Sequence, residues 1–225
     1  MPETPSFLPV AQAYDRWAAS YDAYDNPMVH ASEVALGRRL PMAKGKRVAE
    51  IGCGTGRNLL RLKEAGAVSL WGCDFSSGML REARARDAGF TLVQQDMTES
   101  LPLAQASIDF ALVCLAFEHV ELIAGPLAEI ARVLTDEGQA LLFEIHPFMA
   151  MSGVGAHFRD GKDEIHMPTF AHGFSDYLNA FREAGLVPES CREWRAGDFG
   201  DGAPSKLLKR GTQQPVLVEF VLGKA

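Results

Sequence analysis

The chain lacks the marks of several common protein classes. None of its apolar runs approaches the roughly 20 residues needed to cross a bilayer. Its opening "MPETPSFLPV" has neither the basic flank nor the long apolar core of a secretory signal, so a cytoplasmic protein without a membrane partner is expected. Cysteine is sparse: Cys53, Cys73, Cys114 and Cys191 are widely spaced and form no CxxC pair. That spacing excludes a zinc knuckle and a disulfide framework and leaves four reduced thiols. Positive charge is also short, with 22 Lys and Arg against 29 Asp and Glu and a net charge of −7. The densest basic stretch, "LREARARDAG", alternates its signs as a solvated helix face does. Neutralising phosphates needs a basic surface, so no nucleic-acid partner is expected. No internal repeat or low-complexity tract is visible.

What is present is enough apolar material for one sizeable core: 225 residues, 47% hydrophobic. The middle of the chain alternates β-rich runs, at 47–51, 68–74, 91–95, 108–114 and 140–145, with helical patterns at 57–65, 77–88 and 126–134. Gly66, Gly89 and Gly138 follow those helices as expected stops. Strand–helix alternation predicts an α/β fold, a mostly parallel sheet with helices on both faces. Beyond it, a helix at 175–184 and runs at 186–194 and 215–222 predict a helix and a hairpin, bringing the sheet to seven strands. Two helices, over 11–25 and 27–40, precede the first strand, and 148–173 shows no clear period. One domain is expected over 1–225: an N-terminal helical cap (1–44), a binding core (45–147), a lid insertion (148–174) and a C-terminal helix and hairpin (175–225).

The stretch "VAEIGCGTGRN" sets Gly52, Gly54 and Gly56 between a strand and a helix. Ligands of open α/β sheets bind beyond the carboxyl ends of the strands, and glycines there admit positive φ and close backbone approach. Alone, the loop is a weak signal for a nucleotide-like site, with a tight structural turn as its alternative. The spacing is GxGxG, whereas a dinucleotide fingerprint needs GxGxxG and a phosphate loop needs a Lys-Ser/Thr pair. Asp74, about 20 residues on at the end of "GCD", suits the two hydroxyls of a ribose; its alternative is a helix cap, for which Ser76 and Ser77 also serve. Asp96 at the end of "VQQD" suits an exocyclic amine, with Met97 against a purine; its alternative is a turn residue.

These motifs resemble the class I S-adenosylmethionine-dependent methyltransferases, in the small-molecule branch that opens with "YDxWAxxYD". "EIGCGTG", "GCDFSSGML", "QQDM" and "FALVCLAFEHV" match successive motifs, "LAEIARVLTDEGQALLFE" resembles the next helix and strand, and the resemblance runs from Gln12 to about Val221. It implies a Rossmann-like seven-stranded sheet with an antiparallel last strand. It implies that Tyr21 and the Gly52–Gly54 backbone meet the methionine moiety, Asp74 the ribose, and Asp96 and Met97 the adenine. Cys53, Gly56, Asn58, Phe75 and Met79 are expected to bind the cofactor as well. Cys114 and Leu115 would lie by the amino group and sulfonium, with Glu50 orienting the loop or reaching the amino group through water.

Displacement at a sulfonium methyl needs aligned reactants first, and a base where the acceptor is a hydroxyl or an ammonium. Candidate bases are His119, after the strand 108–114, and His146, after 140–145; each is alternatively a buried or chain-exit histidine. Glu118 and Glu144 are carboxylates at the same strand ends. The resemblance of "HGFSDYLNAFREAGL" to the branch's post-lid helix supports His172 near the acceptor, or else a contact to that helix's start. No metal is expected, because "CLAFEH" lacks the Asp of catechol-type relatives. Tyr14, Trp17 and Tyr24, with Phe148, His157, Phe158, His166, Met167 and Phe170 of the aperiodic stretch, are expected to roof a small, partly apolar acceptor. The expected activity is methyl transfer to oxygen, nitrogen or carbon of a metabolite, by a monomer or homodimer. The competing readings are a non-methylating descendant that keeps the cofactor and, less favoured, an NAD-dependent oxidoreductase.

Overall fold

The computed structural model describes residues 6–200, 202–209 and 211–225. A seven-stranded sheet organises it. Five strands run parallel: β2 (Arg47–Ile51), β3 (Ser69–Asp74), β4 (Thr91–Gln94), β5 (Ile108–Cys114) and β6 (Leu134–Ile145). β10 (Pro215–Lys224) runs antiparallel between β6 and the edge strand β9 (Leu186–Arg195), so β9 points the same way as the five. The order is β4-β3-β2-β5-β6-β10-β9, so the connections reverse direction between β2 and β5. That reversal opens a crevice over the carboxyl ends of these two strands.

The central strands are buried along most of their length, and two apolar clusters cover the sheet's faces. One includes Phe117, Leu127, Ile130, Phe181 and Phe220; the other includes Leu36, Leu59, Leu62, Phe110 and Trp194. Helices α3 (Arg57–Glu64), α4 (Ser77–Arg86), α5 (Ala124–Val133) and α7 (Phe174–Ala184) supply much of this cover. Each strand–helix junction has a local cause. Gly56 takes the left-handed conformation that starts α3, Ser76 accepts the Met79 N–H to cap α4, and Gly185 at φ 70° ends α7.

Gly138 is not a helix stop. Helix α5 ends at Val133, where Leu134 turns extended, and β6 begins at once. Gly138 lies inside that strand, where a Cβ would come within 2.9 Å of the Thr135 carbonyl oxygen.

Helices α1 (Val10–Tyr21) and α2 (Pro27–Gly37) lie outside the sheet. Helix α1 docks on the start of α4 through Asp15, whose Oδ1 accepts the Gly78 N–H (2.6 Å) and the Ser76 hydroxyl (2.6 Å). Its aromatic face therefore lies over the crevice. The stretch 148–173, aperiodic in sequence, is ordered by partners far along the chain. It holds the short α6 (Pro147–Met151) and the hairpin β7 (His157–Asp160) and β8 (Asp163–His166), to which β1 (Ser6–Phe7) adds a parallel strand. Phe158 of this hairpin stacks on Trp17 of α1, centroids 4.6 Å apart and planes 7° from parallel. Both rings are fully buried. Phe158→Ala is expected to lower stability by about 3 kcal/mol, measured by urea unfolding, because the cavity cannot collapse between two fixed elements.

Among the described residues no helix is long and apolar enough to cross a membrane.

Candidate active site

At the carboxyl end of β2 the chain turns through Gly52, Gly54 and Gly56, all with positive φ (76°, 53° and 72°). The Gly52 and Cys53 N–H groups donate to the Cys73 carbonyl at 2.9 and 2.8 Å, folding the loop across the end of β3. Asp74 completes the brace: Oδ2 accepts the Gly54 N–H at 2.8 Å and Oδ1 the Ser76 N–H at 2.9 Å. A Cβ on Gly52 would sit 2.8 Å from the Ala116 Cβ, whereas one on Gly54 would meet no protein atom within 4 Å. The loop backbone at Gly54 thus faces open space.

That space is a cavity of about 190 Å³. Tyr21 of α1, Gly52 and Gly54 line it together with Asp74, Phe75 and Met79, then Asp96 and Met97, then Cys114, Leu115 and His119. A small annex of about 40 Å³ continues past Tyr21 and the glycines to Glu50, Cys53, Asn58 and Arg57. The expected residues from four strand ends are therefore brought together. Gly56 lines neither space: a Cβ there would lie 3.1 Å from Ala83 and 3.2 Å from Phe90, so it serves the turn and the α3–α4 packing.

The electrostatics are set by burial. Glu50 is 1% exposed; Oε1 accepts from Asn58 Nδ2 at 2.8 Å, and Oε2 has no hydrogen-bond partner. Burial pushes its carboxyl up to about 8, against the opposing Asn58 bond. Burial also raises Asp74 to about 6, despite the two backbone N–H groups it accepts. The Cys114 thiol is driven up to about 12 and that of Cys53 well above its usual value, again by burial, so neither is a thiolate nucleophile. Asp96 Oδ1 accepts the Thr98 N–H and hydroxyl at 2.9 and 2.7 Å, which shapes the loop while the residue still faces the cavity. Leu115 holds φ 54°, a strained position for a branched side chain, at the rim where the cavities meet.

The three histidines separate. His119 lines the main cavity; Nδ1 lies 2.9 Å from the Pro168 carbonyl and Nε2 2.9 Å from the Tyr14 hydroxyl. A carbonyl can only accept, so Nδ1 carries the proton, and Nε2 offers its lone pair to the Tyr14 O–H. Burial lowers the His119 pKa, which keeps the ring neutral. His146 does not reach the cavity. Its Nδ1 accepts the Phe148 N–H (3.1 Å) and its Nε2 meets Glu193 (2.7 Å), so both nitrogens are engaged where β6 enters α6. His172 is buried elsewhere, with Nε2 donating to the Val120 and Phe117 carbonyls at 2.8 and 3.2 Å. Both are structural ties between segments, and the expectation that they face a reacting group is corrected.

Two larger cavities, of about 530 and 550 Å³, lie under the β7–β8 hairpin and share Glu118, Ile145, Ala156 and His157. The second also shares Tyr14, Tyr21 and Leu115 with the main cavity, so these residues form the boundary between them. Trp17 and Tyr24 line it, and His166, Met167 and Phe170 line the first, as expected of a roof. Phe158 packs behind Trp17 instead, and Phe148 is exposed. Among the described residues, no three His, Cys, Asp or Glu side chains are grouped to hold a metal ion. Sequence reasoning missed Arg57, Ser76, Thr98 and Val120 as lining residues. Arg57, the first residue of α3 directly after the glycines, was the one with a readable signal.

Comparison with known proteins agrees with this geometry. Residues 49–142 match the family described as "Methyltransferase domain". The chain is 28% identical over 199 residues to a demethylmenaquinone methyltransferase of Beutenbergia cavernae, covering 82% of this chain and 76% of that protein. It is 33% identical over 129 residues to a malonyl-[acyl-carrier protein] O-methyltransferase of Enterobacter lignolyticus, covering 57% of this chain and only half of that one. The crystal structure of an S-adenosylmethionine dependent methyltransferase from Mesorhizobium loti has the same fold, at TM-score 0.71 and 24% identity, over 84% of this chain and 96% of that one. Residues 49–142 thus carry a methyltransferase domain, on a fold shared with an S-adenosylmethionine-dependent methyltransferase of known structure.

Proposed function

We propose that this enzyme methylates a small, partly apolar metabolite that enters beneath the β7–β8 hairpin. The observation that carries the reading is the meeting of two cavities at Tyr14, Tyr21 and Leu115, one with the cofactor constellation and one walled by aromatic and aliphatic side chains. The residues present fit S-adenosylmethionine. Glu50 Oε2 is an orphaned buried acceptor suited to an ammonium; Arg57 lines the same annex with its guanidinium against Glu33 (3.1 Å) and Asp22 (3.7 Å), so a ligand carboxylate there would share it with these two. Gly52 and Gly54 admit the amino-acid end to the backbone, Asp74 faces the ribose, and Asp96 and Met97 face the adenine. Phe75 and Met79 add apolar wall. When bound, the cofactor supplies a methyl group already activated on a sulfonium.

His119 is the base in this reading. Its Nε2 lone pair is aimed at Tyr14, which stands on the boundary, so a proton leaving a hydroxyl or ammonium acceptor has a path through Tyr14 to the imidazole. Burial keeps the Tyr14 phenol well above its ordinary value, so it acts as a neutral relay. His119→Ala is expected to lower turnover about a hundredfold while S-adenosylhomocysteine affinity, by calorimetry, stays within about threefold. Equal losses in both would reduce His119 to a structural role.

The net charge of −7 supports a metabolite over a nucleic acid, and the four free cysteines fit the expected cytoplasmic setting. The test is incubation with S-adenosylmethionine carrying a deuterated methyl group and a small-metabolite extract, followed by mass spectrometry. A labelled metabolite supports the reading; label found only on protein or nucleic acid overturns it.

A further inference from the structure

Glu118 is a buried carboxylate that the cofactor site does not use. It sits beside His119 on one short 3-10 turn after β5, yet the two side chains face different spaces: His119 the cofactor cavity, Glu118 both lobes beneath the hairpin. Its side chain is only 12% exposed. Its Oε2 has no hydrogen-bond partner. The other acidic groups lining these lobes are already matched. Glu164 lies 2.8 Å from His166 and 3.6 Å from Arg159, and Asp25 lies 3.2 Å from Lys206. Lys209 stands exposed at the outer rim. Among the described lining residues, Glu118 is therefore the acidic group without a matching cation, its carboxyl raised to about 7 by burial.

A carboxylate left without a partner in such a place costs free energy until something compensates it. A neutral hydroxyl would satisfy one lone pair and leave the charge. An ammonium would satisfy both, and the walls favour one, since Trp17, Tyr21 and Tyr24 line the same lobe and aromatic rings attract cations. Glu118 Oε1 lies 4.0 Å from His119 Nε2, so a cation held there would be about one side chain from the cofactor cavity.

We infer that the cavity beneath the hairpin is a binding site for a small organic amine, its protonated nitrogen held on Glu118 among the rings of α1 and its apolar body lying toward Ile145. The inference rests on the methyltransferase reading and narrows its acceptor to the amine class. The volume of either lobe, about 530 or 550 Å³, accommodates a single-ring amine.

The test is calorimetry on the full chain with three probes that share a phenylethyl body: 2-phenylethylamine, 2-phenylethanol and 3-phenylpropionate. S-adenosylhomocysteine is titrated first; its failure to bind would overturn the cofactor reading separately, and the probes are then run on the free protein. With the cofactor site filled, the amine is expected to bind about tenfold or more tightly than the alcohol, and the acid not to bind measurably. Glu118→Gln should erase the amine preference and Glu118→Asp should restore most of it, with S-adenosylhomocysteine affinity unchanged within about twofold in both. Equal binding of amine and alcohol, preference for the acid, no binding of any probe, or an amine preference that survives Glu118→Gln would each overturn the assignment. The three wild-type titrations decide the ligand class even where a variant folds poorly.

Discussion

Asp74→Ala should weaken S-adenosylhomocysteine binding about a hundredfold, roughly 2.7 kcal/mol. The carboxylate has two jobs in one place. It holds the glycine loop through the Gly54 N–H and starts α4 through the Ser76 N–H, and it lines the cavity where the proposed cofactor ribose would lie. Charge-assisted bonds of this kind contribute about 1.5–3 kcal/mol each, so losing the loop brace and the ligand contacts together accounts for the size. Asp74→Asn should fall nearly as far, because its amide nitrogen must oppose one of the two N–H donors. The carboxyl titrates near 6 in the free protein, while ribose hydroxyls favour its ionised form. Binding below about pH 6 therefore requires loss of a proton, and affinity should drop about tenfold per pH unit there. Unchanged affinity for Asp74→Ala, measured by calorimetry, would remove the ribose assignment.

Glu50→Gln should move stability and binding in opposite directions. Burial raises this carboxyl from 4.5 to about 8. A carboxyl whose folded pKa lies above its unfolded value favours the fold most when protonated, below about 4.5, and that advantage is lost as pH climbs toward 8. Glutamine cannot ionise and keeps an oxygen for Asn58. The thermal midpoint of the free variant should match the wild type near pH 5 and exceed it by about 3–6 °C near pH 8.5. Cofactor affinity should fall about tenfold or more, because the unpartnered Oε2 that awaits an ammonium is gone. A variant that binds normally would show Oε2 to be merely strained; one that loses stability at high pH would show a different ionisation state for Glu50.

Much of this site was legible before folding because each strand end carries its own short motif. The glycine loop, Asp74, Asp96 with Met97, and Cys114 with Leu115 each depend on local geometry, strand then turn then helix, and the parallel sheet brings such ends to one edge. The histidines were not legible in this way. His119, His146 and His172 all stand near strand ends or turns, but which ring reaches the cavity depends on partners far away in sequence. Glu193 of β9 takes His146, and the Phe117 and Val120 carbonyls take His172. The β7–β8 hairpin was hidden for the same reason: it is packed by β1 and by Trp17, more than 100 residues upstream.

Sequence alone determined the sheet class, the glycine loop and the carboxylates at the strand ends, because periodicity and turn chemistry are properties of a few consecutive residues. Tertiary structure decided which histidine lines the cavity at the glycine loop, that larger cavities lie beneath the β7–β8 hairpin, and that Glu118 and His119, adjacent in the chain, look into different chambers. Burial and hydrogen-bond pairing are set by whatever packs against a residue, and that partner is seldom its neighbour in sequence.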